Sequence, residues 1–371
     1  MKITGIEIKH YRMELDPPFC PTWDAFPRRF APTTLTFVHT DEGITGVGSG
    51  DTMYGFKESG AEELFLGEDP FEIEKLHLQL DTLQFHYGRY WPLELALWDI
   101  MGKATGQPVY KLLGGRHRKL LAYASTGEQL SPAQRAEVAV RLLNEGFKAI
   151  KIRFNTSNPA GGVETVRAVR EAVGDKMDIM VDCNQAWRCV GDVRPAWDMA
   201  TAMRIGSELQ ELGLYWLEEP RHANDYAGLR HLRDHLKVRI AGGEMNRGLH
   251  EFRELVEHQS LDVYQPDVAL TGGILGLRKV ANMVEAHGAV FTPHTWTNGI
   301  GLLANLHLAA AVGNCPYLEF PYDPPTWTPE RRDFVQAEKV YVDNDGYLHV
   351  PQKPGLGIEL DTEAMARYEI R

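Results

Sequence analysis

Apolar and polar residues alternate through ITGIEIKHYRM (3–13) and again through TTLTFVHTDEGITGVGSG (33–50), a period of two that predicts antiparallel strands. The second stretch breaks at Asp41-Glu42-Gly43, which predicts a hairpin. Between them CPTWDAFPRRF (20–30) is rich in proline and aromatic residues and reads as a loop. Helical spacing begins near residue 70 and includes PLELALWDIMGKATG (92–106). Gly106, with Pro108 beyond it, is a helix end.

From about residue 120 the texture changes to strand-like segments separated mostly by helical ones. AYAST (122–126) precedes SPAQRAEVAVRLLNEG (131–146), a helix with Ser131 as N-cap and Pro132 in its first position. The strand FKAIKIRF (147–154), a helix around 163–174, the strand DIMVDCN and a helix near 193–212 follow. LYWLEEP, VRIAGGE, LDVYQPD, GAVFTPH and CPYLEF continue the series, giving about eight strand-like segments between residues 120 and 320. Such alternation predicts a parallel sheet. Polar residues at the strand ends are Lys151, Asp182, Glu218, Glu244, Asp267, His294 and Glu319, separated by 31, 36, 26, 23, 27 and 25 residues. Each gap is about one βα unit, and in a (β/α)8-type barrel such strand ends converge on one face. A doubly wound sheet would spread them along an edge, and no G-x-G-x-x-G follows the first strand. The fold class is therefore α/β, a barrel with an α+β region ahead of it. The segment VYVDNDGYLHVPQKPGLGIELD (340–361) returns to strand and turn, packing on the N-terminal region or closing the barrel's edge.

Composition changes this picture little. Of the 371 residues 43% are hydrophobic and 24% charged, as in ordinary globular proteins. The net charge of -12 and the absence of a long Lys/Arg run argue against a nucleic-acid partner. The alternating N-terminus lacks a signal peptide's apolar run, and no segment approaches a membrane span, so a cytoplasmic location is expected. Cys20, Cys183, Cys189 and Cys315 form no C-x-x-C pair or disulfide framework, and Cys183 and Cys189 read as packed thiols.

The chemistry lies at the strand ends. Asp182, Glu218 and Glu244 end three successive barrel strands. Two like charges about 4 Å apart cost about 4 kcal/mol at an effective dielectric near 20, so a cation between them is expected. Hard oxygen ligands point to Mg2+. Each acid alone also reads as a helix cap. In WLEEP, Glu218 and Glu219 are consecutive and should face opposite ways, so Glu218 is taken as the ligand and Glu219 as a supporting or loop-bound group. Asn184 lies two residues beyond Asp182 and is placed to support it. Asp267 and His294 end adjacent strands, the pattern of a carboxylate orienting an imidazole general base. Lys151 and Arg153, two apart on one strand, supply positive charge for a carboxylate substrate; Lys151 transfers protons only if its pKa falls. Glu319 is a hydrogen-bond donor to an enolate oxygen if protonated.

Together these segments resemble the enolase superfamily, in particular its mandelate racemase subgroup. LALWDIMGKATGQPVYKLLGG (95–115), KIRF, VDCNQAW, WLEEP, GGEMNRG, YQPDVALTGGI, PHTWTNGIG and LEFP occur in that family's order across nearly the whole chain. The resemblance implies an N-terminal α+β capping domain (1–118), a modified TIM barrel (β/α)7β (119–325) and a C-terminal segment (326–371) returning to the cap. It implies Mg2+ on Asp182, Glu218 and Glu244, a His294–Asp267 acid/base dyad, and Glu319 beside the enediolate. Loops around 18–30 and 50–56 match the family's substrate-selecting loops, with Trp23, Arg28, Arg29 and Tyr54 as candidates; symmetric homo-oligomers are also implied. One departure stands out. Racemases of the subgroup carry K-x-K, whereas Arg153 occupies the second position here, which disfavours a two-base racemase.

PHTWTNGIG resembles the matching segment of sugar-acid dehydratases. The expected activity is Mg2+-dependent dehydration of an aldonate-type acid sugar to a 2-keto-3-deoxy acid, with syn elimination if one histidine serves both steps. A racemase or epimerase, or a lactone cycloisomerase, is the alternative inside the superfamily. A glycosidase and a non-catalytic sugar-acid-binding barrel are the alternatives outside it.

Overall fold

In the computed structural model, which describes residues 1–50, 53–155, 158–188 and 193–370, the alternating N-terminus forms β1 (Ile3–Phe19). It pairs antiparallel with β2 (Arg28–Thr40), which turns at Asp41–Gly43 into β3 (Thr45–Gly50). The loop expected over 20–30 is shorter, because Arg28 already pairs with Phe19 across the β1–β2 ladder. Two helices cover this sheet, α1 (Ile73–His86) and α2 (Trp91–Thr105). α2 is buried continuously from Trp91 to Gly102, so it is a core helix rather than an amphipathic one. Its axis lies so close to β3 that a Cβ on Gly48 would come within 1.9 Å of the Pro92 carbonyl oxygen. Only glycine at that position permits the contact. Gly106, at φ 65, ends α2 as the sequence indicates, and the short α3 (Val109–Leu112) follows.

The barrel is built from β4 (Lys119–Ser125), α4 (Pro132–Asn144), β5 (Ala149–Arg153), α5 (Pro159–Val173), β6 (Asp178–Asp182), α6 (Met199–Gln210) and β7 (Trp216–Glu218). It continues through α7 (Tyr226–His235), β8 (Arg239–Gly242), α8 (Gly248–Glu257), β9 (Val263–Tyr264), α9 (Gly273–Ala286), β10 (Val290–Phe291), α10 (Gly299–Ala309) and β11 (Leu318–Pro321). These strands are parallel in the order β10-β9-β8-β7-β6-β5-β4-β11, the (β/α)7β arrangement of a modified TIM barrel with an α+β cap. Between β10 and β11 the ladder gives way to single links. Phe291 N donates to Asn314 O at 3.1 Å, and the Thr295 hydroxyl donates to Glu319 O at 2.8 Å. Helix starts follow local chemistry: Ser131 and Gln134 form a capping box on α4, and α6 begins later than the pattern indicates, after the N-cap Asp198.

Side chains alternate as the pleat demands. Tyr123, Ala149, Met180, Trp216, Ala241, Val263 and Tyr317 pack together inside the barrel. Their strand neighbours Ile150, Ile152, Ile179, Val181, Leu217 and Ile240 face the helices. Beyond β11 the chain forms α11 (Pro329–Arg332), then β12 (Tyr347–His349), antiparallel to β4, and α12 (Thr362–Tyr368), which leads Ile370 N to the His10 carbonyl at 2.8 Å. The C-terminal segment touches the N-terminal sheet, as one reading of it had it, and it does not close the barrel's edge: β12 pairs with β4, between β5 and β11, rather than at the β10–β11 seam. Among the described residues Cys20, Cys183 and Cys315 are free thiols, with Cys183 buried; Cys189 lies outside them. No helix among the described residues is long and apolar enough to cross a membrane.

Candidate active site

The inward positions at the upper ends of the strands carry charge instead of apolar groups. Lys151 and Arg153 continue the inward row of β5, Asp182 that of β6, Glu218 that of β7, and Ser125 that of β4. Asp182 and Glu218 are direct partners in the β6–β7 register. All are buried.

Consecutive glutamates were expected to point opposite ways, and the structure corrects this. β7 ends at Glu218, and Glu219 takes φ 47, a left-handed conformation that re-aims its side chain. Both glutamates thus face the barrel axis. The carboxylates gathered most closely are Asp182, Glu219 and Glu244, whose oxygens lie within 4.8 Å of one another. Glu218, expected as the middle member of the trio, is otherwise engaged. Its Oε1 is 2.6 Å from Lys151 Nζ, and its Oε2 accepts from Trp216 Nε1 at 3.0 Å and Gln265 Nε2 at 2.9 Å. Sequence alone gives no sign of the kink at Glu219. Asn184, also at positive φ, supports the trio through its backbone, donating to Asp182 Oδ1 at 2.8 Å, while its side-chain oxygen accepts from Arg153 at 3.3 Å.

The trio fits a hard divalent cation. Glu219 Oε1 and Oε2 and Glu244 Oε2 are buried without a hydrogen-bond partner, an arrangement costly for a carboxylate unless a cation faces it. Burial, followed by the charges of Glu244, Asp182 and Glu218, pushes the Glu219 carboxyl well above its usual range. All the donor atoms are carboxylate oxygens, the set that suits Mg2+.

His294 and Asp267, the pair expected as a dyad, are in contact. His294 Nδ1 is 3.0 Å from Asp267 Oδ2. Asp267 is itself fixed, its Oδ1 accepting from Ala269 N at 2.8 Å and Asn305 Nδ2 at 3.0 Å, at the start of a π-helical turn (Val268–Gly272). The other imidazole nitrogen, Nε2, lies 3.2 Å from Glu244 Oε2, without hydrogen-bond geometry, and 4.0 Å from Glu319 Oε2. Burial alone would lower the His294 pKa, but Glu244, Glu319 and Asp267 outweigh it and push it up to about 9.

Two roles were conditional on protonation. Burial and the neighbouring Arg153 work against the Lys151 ammonium, yet Glu218, Glu319 and Asp182 win and hold its pKa well above the ordinary lysine value. The lowered pKa on which proton transfer by Lys151 was conditional is therefore not found. Glu319 was a candidate donor, conditional on protonation. Burial opposes its charge, but Lys151, His294 and Arg153 hold it well below the usual carboxylate range. Arg153 keeps its electrostatic role, 2.5 Å from Asp182 Oδ2 and 3.3 Å from Glu319 Oε1. Its guanidinium stacks on the rings of Trp23 and Trp296 at 4.7 and 5.2 Å.

A cavity of about 430 Å³ lies between barrel and cap, lined by His294, Glu244, Arg153, Trp296, Trp23 and Arg28 among others. Of the four candidates from the cap, Trp23 and Arg28 line it. Arg29, exposed and next to Arg28 in a strand, points away, and Tyr54 is 70% exposed with its ring against His10. The sequence reading missed Arg89, Trp187, Trp296 and Trp327, which also line the cavity. Trp296 stands inside the PHTWTNGIG segment, two residues after His294, and that proximity was the available signal.

An acidic trio, a His–Asp dyad and fixed cations at the upper ends of a (β/α)7β barrel define a carbon-acid enzyme of a known class. Residues 134–364 match the family model described as Enolase C-terminal domain-like. Residues 27–114 match that of the mandelate racemase / muconate lactonizing enzyme N-terminal domain. The chain belongs to the mandelate racemase / muconate lactonizing enzyme family of the enolase superfamily. Arabinonate dehydratase of Saccharolobus solfataricus is 32% identical, covering 91% of this chain and 90% of its own. L-talarate/galactarate dehydratase of Salmonella typhimurium is 31% identical, covering 88% of this chain and 80% of its own. The crystal structure of D-glucarate dehydratase from Agrobacterium tumefaciens complexed with magnesium superposes with a TM-score of 0.86 at 25% identity, covering 100% of both chains.

Proposed function

We propose that this protein is a Mg2+-dependent acid-sugar dehydratase, a hydro-lyase converting a sugar acid to its 2-keto-3-deoxy derivative. The observation that carries this is the His294–Asp267 dyad set 3.2 Å from the acidic trio through Glu244, with His294 and Glu244 both lining one cavity. Relatives named as dehydratases of arabinonate and of talarate or galactarate support the substrate class. Asp182 and Glu244, with the Glu218–Glu219 pair, would hold the Mg2+, which when bound supplies positive charge to the substrate's carboxylate.

The protein's own groups account for the rest. His294 Nε2 takes the proton α to the carboxylate, while Asp267 holds the proton on Nδ1 and the ring in place. Lys151 and Arg153 stabilise the charge that develops on the substrate's oxygens. The electron pair left at C2 expels the β-hydroxyl, which leaves as water with the proton returned by His294. The resulting enol tautomerises to the 2-keto acid. One histidine serving both proton steps predicts syn elimination, and Arg153, whose charge is locked by Asp182 and Glu319, offers no second base.

A panel of mono- and dicarboxylic sugar acids with Mg2+, followed by 2-keto acid release, tests this. Turnover that is lost with chelator and lost in His294→Asn is expected, with Mg2+ binding retained in that variant. Full activity in His294→Asn would remove the assigned base. Calorimetric Mg2+ titration of Glu218→Gln and Glu219→Gln apportions the metal cradle: the variant with undiminished affinity is not a ligand. The same proposal includes a cytoplasmic homo-oligomer, on the family resemblance, for sedimentation to test.

A further inference from the structure

Helix α9 begins without a cap of its own. Its N-cap is Gly272, which has no side chain to accept from the first-turn N–H groups. The missing acceptor comes from the cap. Glu94 on α2, fully buried, accepts through Oε1 from Leu275 N, the third residue of α9, at 2.8 Å. That is the contact an N-cap side chain ordinarily makes within its own helix. Trp98 Nε1 donates to the same oxygen at 3.3 Å, and His77 Nδ1 on α1 lies 2.6 Å from Oε2. The approach is close: a Cβ on Gly273 would meet Glu94 Oε2 at 2.3 Å.

The start of α9 leads straight back to the dyad. Gly273 N donates to Val268 O and closes the π-helical turn. Within that turn Asp267 N donates to the Thr271 hydroxyl at 3.1 Å, and the hydroxyl donates to Asp267 O at 2.8 Å. The cap bears on the same turn at two further points. Arg89 Nη1 donates to Leu270 O at 3.3 Å, and a Cβ on Gly50 would lie 2.6 Å from the Ala269 Cβ. Ala269 N is the donor that fixes Asp267 Oδ1. We propose that Glu94 is a positioning residue for the acid/base dyad: by capping α9 from α2, it fixes the turn that aims Asp267 at His294. The proposal rests on the role given to that dyad in the dehydratase reading. The cap thus does more than wall the cavity; it orients the group that orients the base.

Asn305 on α10 also holds Asp267, from the barrel side. A glutamate that only capped a helix would therefore stabilise the fold and leave the dyad alone. NMR of Mg2+-loaded protein with isotope-labelled histidine separates the two and needs no substrate. The His294 Nδ1 proton, which faces Asp267, is identified by its absence in His294→Asn. In Glu94→Ala it should exchange with solvent about tenfold faster or more, the scale of one lost hydrogen bond to a charged group. Glu94→Gln keeps an oxygen for Leu275 N and should restore slow exchange. Steady-state kinetics give the second readout. In Glu94→Ala kcat should fall about tenfold to a hundredfold, the scale of a catalytic group misplaced by up to about 1 Å, with KM and Mg2+ affinity kept and much of the loss recovered in Glu94→Gln. Wild-type exchange of the Nδ1 proton in Glu94→Ala overturns the proposal. So does a kcat within about twofold of wild type beside a lowered melting temperature, the pattern of a purely structural cap. Should Glu94→Ala fail to fold, Glu94→Asp, which withdraws the carboxylate by one methylene, is read in the same way. A wild-type enzyme inert toward every acid sugar sinks the dehydratase reading, and the Nδ1 proton then decides the positioning role by itself.

Discussion

His294 answers to its neighbours more than to its burial. Glu244 and Glu319 raise its pKa to about 9, and Glu244 is also a member of the acidic trio. A cation on that trio opposes the charge of Glu244, so the imidazole pKa should fall when Mg2+ is added. NMR titration of the His294 ring, assigned with His294→Asn, checks this: about 9 in chelated protein and lower with Mg2+. An unmoved value would mean that the ion does not sit beside Glu244. On the acid side of its profile, kcat/KM should rise as His294 loses its proton. His307 gives the opposite case. Its Nδ1 accepts from Tyr110 N at 3.1 Å and its Nε2 donates to Leu356 O at 3.2 Å, so only the neutral ring fits. Burial pushes its pKa down to about 4. A depressed folded-state value means the stability contribution is whole above the unfolded value near 6.5 and is lost as pH falls toward 4. The loss is on the order of 3 kcal/mol. Urea unfolding between about pH 4 and 7 should show this slope in wild type and a flatter one in His307→Leu.

Single elements carry the site through small backbone devices. The loop between β1 and β2 is tied to the end of β4 by Thr22 N to Gly127 O and Gln129 N to Cys20 O, both 2.9 Å. That pairing lays Trp23 on Arg153. A Cβ on Gly127 would meet the Trp23 ring at 2.5 Å, so Gly127→Ala should dislodge the indole. The expected outcome is a kcat/KM reduced about tenfold, the scale of a desolvated cation–π contact, and no further loss when Trp23→Ala is added. An unaltered kcat/KM would show that Trp23 need not sit there. Much of this level was legible in the sequence, for physical reasons. Ser131 announces α4, Gly106 ends α2, and regular gaps between Lys151 and Glu319 mark the barrel. What escaped depends on geometry without a pattern: the positive φ that turns Glu219 inward, the donors gathered around Glu319, and the strand pairing that turns Arg29 away. Residues contributed by loops, such as Trp187, carry no period to betray them.

At the scale of the molecule, the cap and the barrel must stay in one arrangement, because the cavity has walls from both. Asp99 on α2 serves that end from a fully buried position. Its Oδ2 accepts from Val47 N on β3 at 2.9 Å, and its Oδ1 from Leu356 N in the C-terminal segment at 2.8 Å, while Lys103 Nζ lies 2.7 Å away. One carboxylate thus ties the cap's sheet, its central helix and the returning C-terminus. Leu356 also accepts from His307 on α10, which carries the tie into the barrel. Asp99→Ala leaves two buried N–H groups without their acceptor and removes the Lys103 counter-charge, although Lys103 Nζ keeps the Thr45 carbonyl at 2.8 Å. Each orphaned group costs about 1–3 kcal/mol, so a loss of roughly 3–5 kcal/mol is expected. Asp99→Asn keeps one acceptor oxygen and should fall between. Thermal melts rank the three proteins, and limited proteolysis finds where the damage lies: in Asp99→Ala, cleavage should begin in the segment 340–361, before any cut in the barrel. If that variant melts with wild type and is cut first in the barrel, Asp99 is not the tie, and cap and barrel are held together by the other contacts of α2.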